Sequence, residues 1–406
     1  MVKEGIVRIA REMENRKDLL TLLNLIKRDK MAEMNMVDKY HPFYMRHILY
    51  FCNPNHAFHR YRRFEIKKKT GGFRQITAPC YRSFMMLLEC LNEIFKALYT
   101  PSDYAMGFAE GRSVVTNAER HKGMNYILNL DLKDFFPSIE QPPVWKRLQI
   151  EPFNFPAPVA NVIAGLCCMK ETRELENGEK KVFYVLPQGA PTSPIITNMI
   201  CDKLDRRLAG LAKRFGLNYT RYADDITFSS MHNVYAKDGD FFKELYRIIE
   251  DQGFTVNEKK TRLQKAGSRQ EVTGIVVSNK LNVARSYVRD IRNVLYIWDR
   301  YGLKAAYRKF YRKYRQEKGH VKKGKPDIVH IIGGKLMYLK MVKGENDSVY
   351  QRLNSQFQKL AARDADISRK YCRKKAENDV IDVDFGGLED LMNSYIRQQR
   401  EWMTKT

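Results

Sequence analysis

The amino-acid sequence predicts an α+β fold. Apolar segments with strand character and amphipathic segments with helical spacing are mixed along the 406 residues, and no internal repeat is present. Hydrophobic residues make up 44% of the chain and aromatic residues 12%, which is the composition of a folded globular protein rather than a disordered one. A chain of this length can form two or three subdomains.

The N-terminal part of the chain combines helices with one strand pair. Two runs of strand-forming residues, 63–66 and 73–77, flank the glycine-containing segment 70–72, which predicts a hairpin with a tight turn. A helix is predicted over residues 82–98. Helices are also predicted within the first fifty residues from an apolar stripe of Leu19, Leu20, Leu22, Leu23 and Ile26.

The remaining chain continues this mixture of elements. The predicted elements are a strand at 126–131, a hairpin around Asn177-Gly178, a buried helix at 195–208, a strand–turn–strand at 219–229, basic helices after 283, an acidic stretch at 379–384 and an amphipathic helix carrying Leu388, Leu391, Met392 and Tyr395.

The chain is strongly basic, with 72 Lys and Arg against 47 Asp and Glu and a formal charge of +25. This excess favours a polyanionic partner such as nucleic acid, because cations that neutralise phosphates release condensed counterions. A plain basic globular protein or a binder of membrane surfaces has the same composition, so charge by itself leaves these alternatives open.

The cysteines and the N-terminus bear on the compartment. The seven cysteines include no C-x-x-C pair, which argues against a disulfide framework and a cysteine zinc site. The first residues are too charged for a signal peptide, and no apolar run is long enough to span a membrane. We therefore expect a cytoplasmic protein with no membrane partner.

Two adjacent acids, Asp224 and Asp225, lie at the tip of the predicted strand–turn–strand. A solvated turn is one explanation, since Asp is common in turns. The β-forming residues on both sides favour a buried tip instead, where carboxylates need a cation. Asp131 also ends an apolar strand, and pairing of the two strands would bring three carboxylates together around a pair of Mg²⁺ ions.

Motifs that follow one another along the chain connect these acids with a known family. Residues 131–139 (DLKDFFPSI) resemble the first palm motif of bacterial reverse transcriptases, residues 186–194 (LPQGAPTSP) resemble the second, and residues 222–225 (YADD) resemble the catalytic hairpin. Residues 64–79 are similar to the fingers hairpin of that family. The segment from Gly253 to Lys260 is similar to the motif that follows the catalytic hairpin.

The resemblance implies a right-hand polymerase with an antiparallel palm sheet and a helical thumb. N-terminal helices and fingers would occupy residues 1–125, and the palm residues 126–285 with a fingers insertion at about 145–185. The thumb would occupy residues 286–364, and a C-terminal extension residues 365–406.

The resemblance also implies the roles of single residues. Asp131, Asp224 and Asp225 would be the catalytic acids that bind two Mg²⁺ ions, and the backbone carbonyl of Leu132 would be a further ligand. Lys260 could protonate the leaving pyrophosphate. The nucleotide would be bound by Arg74 with Lys67 or Lys68 at the triphosphate, by Phe136 as the steric gate against a 2′-hydroxyl, and by Gln188 and Gly189 in the pocket wall.

A basic stretch at 307–315 lies in the region that the resemblance assigns to the thumb. It alternates aromatic residues with Arg and Lys, so its rings could stack on nucleic acid or pack inside the protein while the cations follow phosphates.

Two shorter signatures resemble retron reverse transcriptases. Residues 117–121 (NAERH) look like their Asn-Ala-x-x-His motif, and residues 272–274 look like their Val-Thr-Gly triplet, which contacts the RNA that primes synthesis. The residues expected to bind RNA are therefore Asn117, His121, Val272, Thr273 and Gly274.

The resemblance implies an RNA-directed DNA polymerase that copies a dedicated structured noncoding RNA into cDNA from dNTPs, in bacterial antiphage defence. Residues 365–406 could dock an effector protein, a second subunit or the RNA. The chain has no recognisable integrase, RNase H or HNH nuclease region. Two alternatives stay open: a maturase-type reverse transcriptase of a mobile intron, and a catalytically retired nucleic-acid-binding scaffold.

Overall fold

The computed structural model describes residues 3–53, 60–67, 71–175, 177–317 and 327–364. The helices in these segments are α1 (Lys3–Arg11), α2 (Arg16–Glu33), α3 (Met45–Cys52), α4 (Arg82–Leu98), α5 (Val114–Glu119), α6 (Gln141–Leu148), α7 (Ala157–Cys167), α8 (Ser193–Arg214), α9 (Asp240–Glu250), α10 (Arg285–Glu317), α11 (Ile328–Lys343) and α12 (Ser348–Arg363). The strands are β1 (Tyr61–Lys67), β2 (Phe73–Pro79), β3 (Tyr126–Asp131), β4 (Met169–Glu174), β5 (Lys180–Val185), β6 (Asn218–Tyr222), β7 (Asp225–Ser230), β8 (Arg262–Lys265), β9 (Glu271–Val272), β10 (Ile275–Val277) and β11 (Leu281–Asn282).

A four-stranded antiparallel sheet in the order β6-β7-β3-β8 lies at the centre of the fold. Its register places Tyr126 opposite Ser230 and Asp131 opposite Asp225, so the acidic ends of β3 and β7 meet at one edge. Side chains alternate between the faces of a strand. In β3, Leu128 and Leu130 accordingly face one hydrophobic core and Ile127 faces another.

The first hydrophobic core is built on helices α4 and α8. Both helices bury one face almost completely, with Phe84 and Leu88 of α4 and Leu204 and Leu208 of α8 at 0% exposure. Pro194 occupies the first turn of α8, where its missing N–H leaves no helical bond unmade. The long buried helices support the central sheet and therefore fix the position of its acidic edge.

Two hairpins flank the acidic edge. Strands β1 and β2 pair antiparallel from Tyr61 opposite Pro79 to Lys67 opposite Phe73, and β4 pairs with β5. The backbone N–H of Thr77 donates to the carbonyl of Gln188 at 2.9 Å, so the β1–β2 hairpin is attached to the loop before α8.

A second hydrophobic core joins the small sheet β11-β10-β9 to helices α5, α10, α11 and α12. Val272 and Ile275 are fully buried in it together with Trp298 of α10. The short strands β9 to β11 therefore share a hydrophobic core with the C-terminal helices.

The α+β class and most of the predicted elements are confirmed. Helix α4 and strand β3 have the predicted bounds, and the predicted hairpins and strand–turn–strand are present. Helix α8 extends beyond the predicted 195–208. The acidic stretch at 379–384 and the helix after it lie outside the described residues. Among the helices of the described segments, none is both long and apolar enough to cross a membrane.

Candidate active site

Three acids meet at the edge of the central sheet because of strand register. Asp131 is the last residue of β3 and pairs with Asp225, the first residue of β7. Asp224 lies in the two-residue turn between β6 and β7, where Ala223 has a left-handed φ of 58°. The N–H of Leu132 donates to the carbonyl of Asp224 at 3.0 Å and ties the turn to the end of β3.

Asp131 is buried, with 7% of its surface exposed, and its carboxylate is fully engaged. The Lys260 ammonium donates to both carboxylate oxygens at 2.7 Å, and the Asn257 amide donates to Oδ1 at 3.1 Å. The backbone N–H of Asn257 also donates to the Asp131 carbonyl at 2.7 Å. The segment predicted to follow the catalytic hairpin therefore holds the first acid in place.

The other two acids carry charge in an unfavourable setting. Burial, with the nearby charge of Asp131, raises the pKa of Asp224 above its usual range. Burial raises the pKa of Asp225 to about 6, reinforced by the charges of Asp224 and Asp131. Carboxylates that repel one another in this way favour a neutralising cation. Within the described segments, however, no three His, Cys, Asp or Glu side chains form a preassembled metal cluster.

Two of the acids, Asp131 and Asp224, open onto a cleft of about 690 Å³. Arg74 of β2, Phe136 and Gln188 line this cleft with Asp131, Leu132, Asp224 and Lys260. The structure thus brings together residues from five motifs that are far apart in sequence. Lys67 is an exposed residue of β1 and does not line the cleft. Lys68 lies outside the described residues.

Gly189 contacts protein rather than lining the cleft. Its φ is 138°, and a Cβ built there would lie 2.9 Å from the carbonyl oxygen of Thr77. Because glycine has no side chain, the backbone at residue 189 can therefore approach strand β2 closely. Gly189 joins the β1–β2 hairpin to the loop that carries Gln188.

A buried ion pair beneath the acidic turn was not found from the sequence. Arg221 of β6 and Asp205 of α8 are both fully buried and are joined by two bonds of 2.7 Å. Arg221 also donates to the carbonyl of Ala223 at 3.2 Å and to the Asn198 amide oxygen at 3.2 Å. The pair holds the residue that precedes Asp224, a role that no local pattern indicates.

The Asn-Ala-x-x-His signature lies inside the protein. Asn117 is 1% exposed and His121 is 0% exposed. His121 bonds Thr220 of β6 through Nε2 and Ser229 of β7 through Nδ1, both at 2.7 Å. Thr220 donates to the Asn117 side chain at 2.6 Å. These side chains pair with the strands that carry Asp224 and Asp225, so as placed they do not face a bound RNA.

The Val-Thr-Gly triplet connects the same network to the surface. Val272 is buried in the second core, whereas Thr273 is partly exposed and Gly274 is exposed. Thr273 and Gly274 both have positive φ, 47° and 83°, as in a tight turn. The Asn117 amide reaches the Thr273 hydroxyl at 3.4 Å.

The basic stretch predicted at 307–315 lies on α10. Tyr307 and Phe310 are buried in the second core, and the Tyr307 ring stacks on Tyr311 with centroids 5.6 Å apart. The cations Arg308 and Arg312 are exposed on the opposite side. Of the two alternatives for the rings, the structure favours packing inside the protein.

Comparisons with known proteins show which family the chain is similar to. The family model described as reverse transcriptase (RNA-dependent DNA polymerase) matches residues 66–281. The chain is 37% identical over 256 residues to the retron Mx65 reverse transcriptase of Myxococcus xanthus, covering 60% of this chain and 57% of that protein. It is 37% identical over 238 residues to the retron Ec86 reverse transcriptase of Escherichia coli, covering 57% of this chain and 68% of that protein.

The chain spans little more than half the length of the Mx65 enzyme. Among solved structures, it is similar to telomerase from Candida albicans with a TM-score of 0.36 and 9% identity, covering 78% of this chain and 66% of that one. That likeness is too weak to bear on fold or function.

The match to the family model includes all three acids and the residues that line the cleft from Arg74 to Lys260. It implies a right-hand polymerase fold for the observed combination of helices and antiparallel sheets. The chain belongs to the reverse transcriptase (RNA-dependent DNA polymerase) family and, within it, to the retron-type members.

Proposed function

We propose that the chain is an RNA-directed DNA polymerase that copies a dedicated structured noncoding RNA into cDNA, as part of a retron in bacterial antiphage defence. The observation that carries the proposal is that Asp131 and Asp224 line a single cleft with Arg74, Phe136 and Gln188, while Asp225 pairs with Asp131 at the edge of the sheet. A retired scaffold would have no physical reason to keep mutually repelling carboxylates together at one edge of the sheet.

In this proposal the central sheet is the palm, the β1–β2 hairpin belongs to the fingers, and helices α10 to α12 form the thumb. The residues at 365–406 remain a candidate site for an effector protein or for self-association. The proposed division leaves β9 to β11 with the thumb, because their side chains share its hydrophobic core.

The cleft residues have distinct tasks towards an incoming dNTP. Arg74 offers a guanidinium to the triphosphate, where a fixed cation offsets the charge that develops during transfer. Phe136 places a half-buried ring where the sugar would lie and excludes a 2′-hydroxyl. Gln188 is held in the wall through its carbonyl bond from Thr77.

The donor set suits Mg²⁺, because the three carboxylates and the Leu132 carbonyl supply the hard oxygens that this ion prefers. Two such ions, when bound, would activate the primer hydroxyl and stabilise the leaving pyrophosphate. Lys260, whose ammonium donates to both Asp131 oxygens, lines the same cleft. In this proposal it donates a proton to the leaving pyrophosphate.

RNA recognition is proposed for the exposed part of the Val-Thr-Gly turn and for the outer face of α10. Thr273 and Gly274 are accessible, and Arg308, Lys309 and Arg312 form an exposed basic row. Asn117 and His121 would contribute indirectly, because they support that turn from inside the protein.

Sequencing of the nucleic acid that co-purifies with the full chain tests this function. Wild-type protein should carry one defined RNA joined to or paired with cDNA, whereas Asp224→Asn should carry the same RNA without cDNA. Defined intron RNA would favour the maturase alternative. Random cellular RNA without cDNA in both proteins would contradict the proposal and favour the scaffold.

A further inference from the structure

Phe108 lies outside the motifs of the active site, yet its ring packs against the proposed steric gate. The centroids of the Phe108 and Phe136 rings are 6.2 Å apart, with a tilt of 49° between their planes. The centroids of the Phe136 and Phe135 rings are 5.6 Å apart. Phe136 therefore has two ring neighbours, one from its own motif and one from a separate loop.

The backbone around Phe108 is held in an unusual conformation. Phe108 has a φ of 59°, in the left-handed region that bulky residues rarely adopt. The Asn198 amide donates to the carbonyls of Gly107 at 3.0 Å and Phe108 at 3.4 Å. A Cβ on Gly107 would lie 2.7 Å from the backbone nitrogen of Ala223, so this loop packs directly on the catalytic turn.

Core burial does not explain why this conformation is kept. Phe108 is 43% exposed, and it lines a second cleft of about 810 Å³. Phe136 lines the nucleotide cleft. The two rings in contact therefore each line a different cleft. A strained backbone whose side chain is only partly buried is typical of a functional constraint.

We propose that Phe108 is a positioning residue for Phe136 and thereby sets the discrimination between deoxyribonucleotides and ribonucleotides. The proposal rests on the proposed polymerase function and adds a specificity determinant from outside its motifs. Without the Phe108 ring, Phe136 can tilt towards the second cleft, and the space under the sugar then admits a 2′-hydroxyl.

The test is single-nucleotide primer extension by the full chain on an RNA template with Mg²⁺. The ratio of kcat/KM for a dNTP to that for the matching rNTP measures discrimination. Phe108→Ala should lower this ratio roughly three- to tenfold, the factor expected for loss of one aromatic contact. Phe108→Tyr should retain the wild-type ratio, and Phe136→Ala should give the largest loss.

Tyr44→Ala is the matched control, because it truncates a half-exposed aromatic ring outside both clefts. It should leave the ratio unchanged. Thermal unfolding checks that each variant folds, and Phe108→Leu replaces the alanine variant if that variant does not.

The outcomes distinguish failure of the positioning role of Phe108 from failure of the proposed polymerase function. If Phe136→Ala loses discrimination while Phe108→Ala or Phe108→Leu keeps the wild-type ratio, the positioning role is refuted and the polymerase stands. Equal losses of dNTP and rNTP use, with an unchanged ratio, also refute it as a merely structural effect. Absence of extension by wild type would instead refute the proposed function itself.

Discussion

The residues that the resemblance singles out differ in how far they are buried. Arg74 and Lys260 are exposed at the cleft, whereas Asn117 and His121 are enclosed by strands β6 and β7. The fold keeps His121 neutral, since burial lowers the pKa of its imidazole to about 3. The side chains of Asn117 and His121 are therefore bonded to the strands next to the active site.

The buried imidazole predicts a loss of stability at mildly acidic pH. The unfolded chain binds a proton on His121 below its ordinary pKa of 6.5, whereas the folded chain does not until about pH 3. The contribution of His121 is therefore complete above pH 6.5 and falls as the pH decreases from there. Between about pH 7.5 and about pH 5 the expected loss is about 2 kcal/mol.

Urea unfolding of wild type and His121→Gln at several pH values measures this loss. The difference in the free energy of unfolding between the two proteins should shrink as the pH falls, because only wild type gains the proton on unfolding. A difference that is constant with pH would mean that His121 is not kept neutral by the fold.

At the scale of elements, the active site depends on contacts between segments that are distant in sequence. Strand β2 meets the loop of Gln188 through Gly189, and β3 meets β7 through the Asp131–Asp225 pair. Each segment is short, so its position depends on contacts with neighbouring segments rather than on bonds within the segment itself.

Gly189→Ala should weaken the attachment of the β1–β2 hairpin. A methyl group there meets the Thr77 carbonyl at 2.9 Å on a backbone with φ 138°, and the expected cost is about 1–3 kcal/mol. Because Arg74 and Gln188 lie on either side of this contact, KM for dNTP should also rise. Urea unfolding and steady-state extension measure the two effects.

Gly210→Ala is the control for that substitution. Gly210 lies in helix α8, and a Cβ there meets no atom within 4 Å. Alanine should stabilise the protein by roughly 0.5–1 kcal/mol with KM unchanged. If Gly189→Ala also stabilised the protein and left KM unchanged, the packing role assigned to Gly189 would be wrong.

The sequence predicted elements well where local signals are strong. The apolar run 126–131 and the helical pattern at 82–98 contain their own signals, so their bounds were predicted correctly. The resemblance supplied the residues that line the cleft. The buried Arg221–Asp205 pair, the Phe108–Phe136 contact and the division of the two cores depend on tertiary packing, which no local pattern encodes.

At the scale of the whole molecule, the net charge of +25 should dominate the affinity for RNA. Neutralised phosphates release counterions, so the logarithm of the binding constant should fall linearly with the logarithm of the salt concentration. Arg308→Gln with Arg312→Gln removes two exposed cations of α10 and should reduce that slope by roughly 1.5–2.

Fluorescence anisotropy with an RNA–DNA hybrid over a range of salt concentrations measures the slope. The matched control is Arg8→Gln with Arg11→Gln, which removes the same charge from exposed positions of α1. Helix α1 packs on the first core through its buried face. An equal reduction in both double variants would mean that the charge acts over the whole surface and that α10 is not a specific contact.

Incorporation of dNTPs on a primed RNA template with Mg²⁺ tests the central claim most directly. Wild type and the exposed-acid control Asp238→Asn should extend the primer, and Asp224→Asn should lose at least about a hundredfold in rate while binding the hybrid normally. Extension by Asp224→Asn at the wild-type rate, or no extension by wild type, would contradict the assignment of these acids as the catalytic centre.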